Sequence, residues 1–84
     1  MYSVFYTSSA ERQLNHLPSQ IAASVTNTVR HLVENPRTIR TEKLTGSPNT
    51  YRIRIGRYRI VYTIEDHIRR VVIHRIAHRR DVYR

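Results

Sequence analysis

The chain has 84 residues, 39% of them hydrophobic, with 15 Lys+Arg against 6 Asp+Glu and a formal net charge of +9. That length allows one domain, residues 1–84, with a small core, and the lack of cysteine excludes a disulfide framework, a thiolate nucleophile and a Cys-rich zinc site. No apolar run reaches the ~20 residues that span a bilayer and Met1–Val4 lacks a signal-peptide pattern, so a soluble, cytoplasmic domain with an acidic partner and no membrane contact is expected.

Tyr2 to Thr7 is rich in aromatic and β-branched residues and predicts a first strand. Ser8-Ser9-Ala10-Glu11 fits a capping box with Ser8 as N-cap, and Ala10, Leu14 and Leu17 then recur at helical spacing up to Pro18. Ser19 is placed to cap a second helix, whose apolar stripe is Ile21, Val25, Val29, Leu32 and Val33 and which Asn35-Pro36 ends. Residues 36–50 read as a connector in which Glu42-Lys43-Leu44 could pair briefly as a strand. Tyr51–Ile55 and Tyr58–Ile64 alternate with period two around Gly56-Arg57, and Arg70 to Ala77 predicts a last strand after a turn at Glu65-Asp66-His67. The expected fold is α+β: an N-terminal strand, a two-helix hairpin and three antiparallel strands, with the helices on one face of a single twisted sheet.

The charge is lopsided. Residues 1–50 carry five basic residues against three acids, whereas residues 51–84 carry ten arginines against three acids. A two-residue, glycine-first loop at Gly56-Arg57 suits a type II′ hairpin. Its register sets Ile55 opposite Tyr58, Arg54 opposite Arg59 and Arg52 opposite Val61. Arg52, Arg54 and Arg59 then share one face, while Tyr51, Ile53, Ile55, Tyr58, Ile60 and Tyr62 share the face that the helices cover. Like charges directly opposed across strands are destabilising, and no acid relieves them from within either strand, which points to an anion as their partner. Exposed strands also carry long charged residues simply to discourage edge pairing.

The terminal run His78-Arg79-Arg80-Asp81-Val82-Tyr83-Arg84 continues the theme, and a tyrosine among arginines suits stacking on a base. A frayed tail is the plainer reading of the same residues. His74 and His78 are four apart, about 13 Å on a strand, and with no cysteine and few carboxylates nothing completes a metal set; no metal and no cofactor is expected. His16, His31 and His67 read as solvated, whereas His78 beside Arg79 and Arg80 is expected to stay neutral and able to act as a base.

Tyr51-Arg52-Ile53-Arg54-Ile55-Gly56-Arg57-Tyr58-Arg59-Ile60-Val61-Tyr62, followed by His78 to Tyr83, resembles the RelE branch of the RelE/ParE toxin superfamily. Leu32 through Asn35-Pro36-Arg37 and Lys43-Leu44-Thr45-Gly46 match the family's pattern as well. The resemblance implies a toxin of a type II toxin–antitoxin pair, a ribosome-dependent endoribonuclease that cuts mRNA by attack of the ribose 2′-OH on the adjacent phosphate. It implies a cognate antitoxin, the ribosome and mRNA as partners, with operator DNA touched only through the antitoxin. Carried over residue by residue, it sets Arg52 and Arg54 at the family's two basic strand positions. Arg59 and Arg79 fall where phosphate is stabilised, and Tyr83 at the C-terminal tyrosine that stacks on or orients a base.

Lys43, Arg57, Arg80 and Arg84 are further candidates for RNA contact. The best-known member has lysines where this chain has Arg52 and Arg54, and arginine does not serve as a base. His78 is therefore the first candidate for the proton acceptor, Tyr83 the second and His74 the third. A ParE-like gyrase inhibitor, or a RelE homologue that binds RNA or ribosomes without cutting, are the alternatives.

Overall fold

Ser3–Tyr6 forms β1, and the turn after it starts α1, Ser8–Asn15, in a computed structural model that describes residues 1–78 and 80. The N-cap is Thr7, not Ser8: its hydroxyl accepts from the Ala10 amide at 3.1 Å, so the capping side chain stands one residue earlier than the Ser-x-x-Glu pattern suggested. The longer α2, Ser19–Glu34, is capped by Pro18 with no side-chain bond, and Ser19 is its first helical residue rather than its cap. Asn35 ends it before Pro36, as proline geometry requires. Val25, Val29 and Leu32 are buried in the predicted stripe, with Ile21 partly buried against them.

The remaining chain folds as β2 (Thr41–Lys43), β3 (Thr50–Ile55), β4 (Tyr58–Glu65) and β5 (Arg70–His78), with a 3-10 turn at Asp66–Ile68. Together with β1 they make one sheet in the order β1-β5-β4-β3-β2. The architecture is the expected α+β one, with a short fifth strand at the edge, β2, overlapping the segment that sequence marked as a brief pairing. All pairs are antiparallel except the parallel β1–β5: the helices carry the chain from β1 to β2 at the opposite edge, and β3 to β5 return across the sheet to meet β1.

The hairpin register is the predicted one. Ile55 faces Tyr58, Arg54 faces Arg59 and Arg52 faces Val61, and Gly56 at the first loop position has φ of 58°. A positive φ there with none at Arg57 is the II′ pattern, which only glycine enters without strain. Tyr51, Ile53, Ile55, Ile60, Tyr62, Ile64, Val71, Ile73 and Ile76 point to the helix side and join Ala10, Val25, Val29 and Leu32 in the core. Tyr62 lies fully buried there, and its hydroxyl donates to the Pro36 carbonyl at 2.8 Å and meets the Thr41 hydroxyl at 3.0 Å. Burial raises the Tyr62 pKa, so the phenol stays neutral and stitches the connector to the centre of the sheet.

Candidate functional site

Directly opposed residues share a face of the sheet. Reading across the strands, one row on the face turned away from the helices is Glu42, Arg52, Val61 and Arg75, and the next is Arg54, Arg59 and Ala77. The predicted trio Arg52, Arg54 and Arg59 is therefore brought together. Arg59 departs from expectation in one respect: it is only 4% exposed, while Arg54 is exposed. A guanidinium in such a low-dielectric position acts on a neighbouring negative charge more strongly than one in water.

The acid that β3 and β4 lack comes from β2. Glu42 lies opposite Arg52 and forms an ion pair with it. Arg40 donates from Nη2 to the Arg54 carbonyl at 2.8 Å, tying the connector to the strand edge without engaging the Arg54 side chain. Among the described residues, no carboxylate pairs with Arg54 or with Arg57 at the hairpin tip. Other arginines are occupied. Arg37 grips both Asp66 oxygens at 3.0 and 2.7 Å, donates from Nε to the Tyr51 hydroxyl and lies 5.2 Å from that ring's centroid. With Tyr2 donating to the same carboxylate, these bonds hold the Asp66 pKa down to about 2. Arg70 holds both oxygens of Glu65 at 2.9 and 3.1 Å, lowering that carboxyl's pKa, and lies over Phe5 at 5.7 Å.

The last strand breaks its alternation. Tyr62 faces Ile73 but Val61 faces Arg75, so His74 is an extra residue, a β-bulge. Both His74 and Arg75 are exposed between buried Ile73 and buried Ile76, and His74 Nε2 lies 3.0 Å from Thr63 Oγ1 on the outer face. Past the end of β1, Thr7 Oγ1 donates to the His74 carbonyl at 3.3 Å and the Ile76 amide donates to Gln13 Oε1 at 2.7 Å. Those two side chains satisfy backbone groups that β1 is too short to reach.

The bulge also decides the face on which His78 falls. As the last residue of β5 it faces Tyr58, with ring centroids 5.2 Å apart, on the helix side of the sheet, and its Nδ1 accepts from the Arg80 amide at 3.3 Å. Lys43 faces Tyr51 and so also belongs to the helix-side register. Arg80 is exposed beyond β5. Arg79, Tyr83 and Arg84 lie outside the described residues. Arg75 was missed because simple alternation would turn it inwards. The signal was available in the apolar spacing of Val71, Ile73 and Ile76, two and then three, which a strand satisfies only with a bulge.

The chain matches, over residues 4–83, the family described as ParE toxin of type II toxin-antitoxin system, parDE. Toxin RelG of Mycobacterium tuberculosis is 36% identical over 84 residues, covering 99% of this chain and 97% of its own. In the structure of the toxin–antitoxin complex RelBE2 from the same organism, a chain 35% identical superposes with a TM-score of 0.81 over 93% of this chain and 98% of its own. The isolated Escherichia coli RelE toxin shares the fold with a TM-score of 0.84 over 93% of this chain and 84% of its own, at 24% identity. The chain thus belongs to the ParE toxin family of type II toxin–antitoxin systems, within the RelE branch of the RelE/ParE superfamily.

Proposed function

We propose that this toxin is an endoribonuclease that cuts mRNA on the ribosome and thereby stops translation. The observation that carries the reading is the convergence of Arg52, Arg54 and Arg59 on one sheet face, with Arg54 exposed and facing no carboxylate among the described residues. Cleavage by 2′-OH attack develops negative charge on the phosphate oxygens, and preorganised guanidinium groups stabilise it without a metal. Arg54 contacts the scissile phosphate, and buried Arg59 supplies a fixed positive charge behind it. Arg52, already paired with Glu42, exchanges that partner for the RNA backbone. By family resemblance Arg79 joins them and Tyr83 stacks on the adjacent base, while Lys43, Arg57, Arg80 and Arg84 contact RNA or ribosome more peripherally.

A toxin of this class needs restraint. The toxins of Mycobacterium tuberculosis and Escherichia coli that share this fold have been crystallised with their antitoxins, and a cognate antitoxin is the proposed partner here. The test is incubation with mRNA, with and without programmed ribosomes and with chelator present, followed by mapping of new RNA ends. Cuts confined to the ribosome-bound message, unaffected by chelator and lost in Arg54→Ala, are expected. Translation arrest without new ends would refute the nuclease reading, and gyrase inhibition in a parallel supercoiling assay would replace it with the ParE-like one.

A further inference from the structure

The proposed reaction needs a group that takes the 2′-OH proton, and none of Arg52, Arg54 or Arg59 can do so. Resting on the nuclease reading, we infer that His74 is this proton acceptor. His74 follows inward-facing Ile73 and so turns outwards onto the face that carries the arginines, while the bulge sets Arg75 beside it on that face and leaves His78 on the other. Bulges commonly re-aim side chains beside active sites. This one is fixed from three directions, by Thr63 at the ring, by Thr7 at the His74 carbonyl and by Gln13 at the Ile76 amide.

The ring's surroundings suit the task. In the tautomer whose Nε2–H donates to Thr63 Oγ1, Nδ1 carries the free lone pair on an exposed side chain. His78 has the reverse arrangement, its Nδ1 lone pair already accepting from the Arg80 amide. The charged groups on the outer face around His74 are Glu65 on β4, Arg70 and Arg75 on β5, Arg52 and Arg54 on β3, Glu42 on β2 and buried Arg59. From the β1–α1 side the neighbours are the uncharged Thr7 and Gln13. Glu65 interacts electrostatically with His74 but is itself held by Arg70. In the step, the 2′-O–H bond breaks and its proton passes to Nδ1 while the 2′-oxygen bonds to phosphorus. The bond from phosphorus to the 5′-oxygen breaks, and that oxygen takes a proton from solvent, leaving a cyclic phosphate and a 5′-hydroxyl.

The experiment is single-turnover cleavage of mRNA on programmed ribosomes from pH 5 to 9, with His31→Ala on the exposed face of α2 as control. Wild type and His31→Ala should cut with a rate that rises with pH as the proton acceptor is freed. His74→Ala and His74→Gln should fall about 10²-fold or more, the scale of general-base loss, and lose that rise. The glutamine variant can still bond Thr63, which separates proton transfer from positioning, and circular dichroism melts verify folding. Cutting wild type with an unchanged His74→Gln profile would overturn the assignment and leave the nuclease reading intact. Loss in His78→Ala with His74→Ala unaffected would do the same and return the role to His78. A wild type that does not cut RNA would remove both.

Discussion

The two ends of the sheet use the same residue in opposite ways. At the β4–β5 turn, Arg37 and Arg70 each clasp a carboxylate with two hydrogen bonds, on Asp66 and Glu65. At the β3–β4 hairpin, Arg54 and Arg57 meet no carboxylate among the described residues, and Arg59 is buried. Arginine counts alone do not distinguish these regions. What separates them is the counterion: Arg37 and Arg70 have internal carboxylates and hold the turn, whereas Arg54 and Arg57 meet none among the described residues.

Exchanging the two classes is the most direct way to break the comparison. Arg54→Ala should lower single-turnover cleavage about 10²–10³-fold, the range seen when a preorganised charge-stabilising donor is removed, with a melting temperature within about 2 °C of wild type. Tyr62→Phe strikes the core on the helix side. It leaves the Pro36 carbonyl and the Thr41 hydroxyl without their buried partner, at about 1–2 kcal/mol, which in a domain this size is a drop of roughly 5–10 °C. Arg37→Ala should cost less, since both partners are about half exposed. A drop of about 3–6 °C is expected, with cleavage within twofold of wild type; a large loss of activity would mean that the turn end also belongs to the site.

The smallest effect is visible only in acid. The folded Asp66 carboxyl titrates near 2, below its ordinary value of 3.8, so its contribution is present above about pH 4 and drains away as pH falls towards 2. Melts across that interval should therefore decline more steeply for wild type than for Asp66→Asn.

Much of this was legible from residue order, for physical reasons that differ by element. The hairpin register followed from Gly56-Arg57 because turn type and strand pairing are coupled, and it brought Arg54 against Arg59 as the structure has it. The Glu42–Arg52 pair was hidden because three residues of β2 are too few to show a period. Thr7 escaped because its hydroxyl serves both the helix start and β5, a link across 67 positions that no local pattern contains. The burial of Arg59 was equally out of reach, since period two assigns a face and says nothing about what is exposed on it.

The bulge at His74 makes β5 a parity counter. Every residue on its C-terminal side has its inward or outward sense set by that one additional position, so pairing the same residues without the bulge would exchange the two sets through His78. Ile76 would turn away from the helices, and Arg75 would press into the apolar layer. Deleting His74 or Arg75 would instead restore plain alternation with Ile76 still turned inwards, so the apolar layer survives a shortened strand better than an unbulged one of the same length.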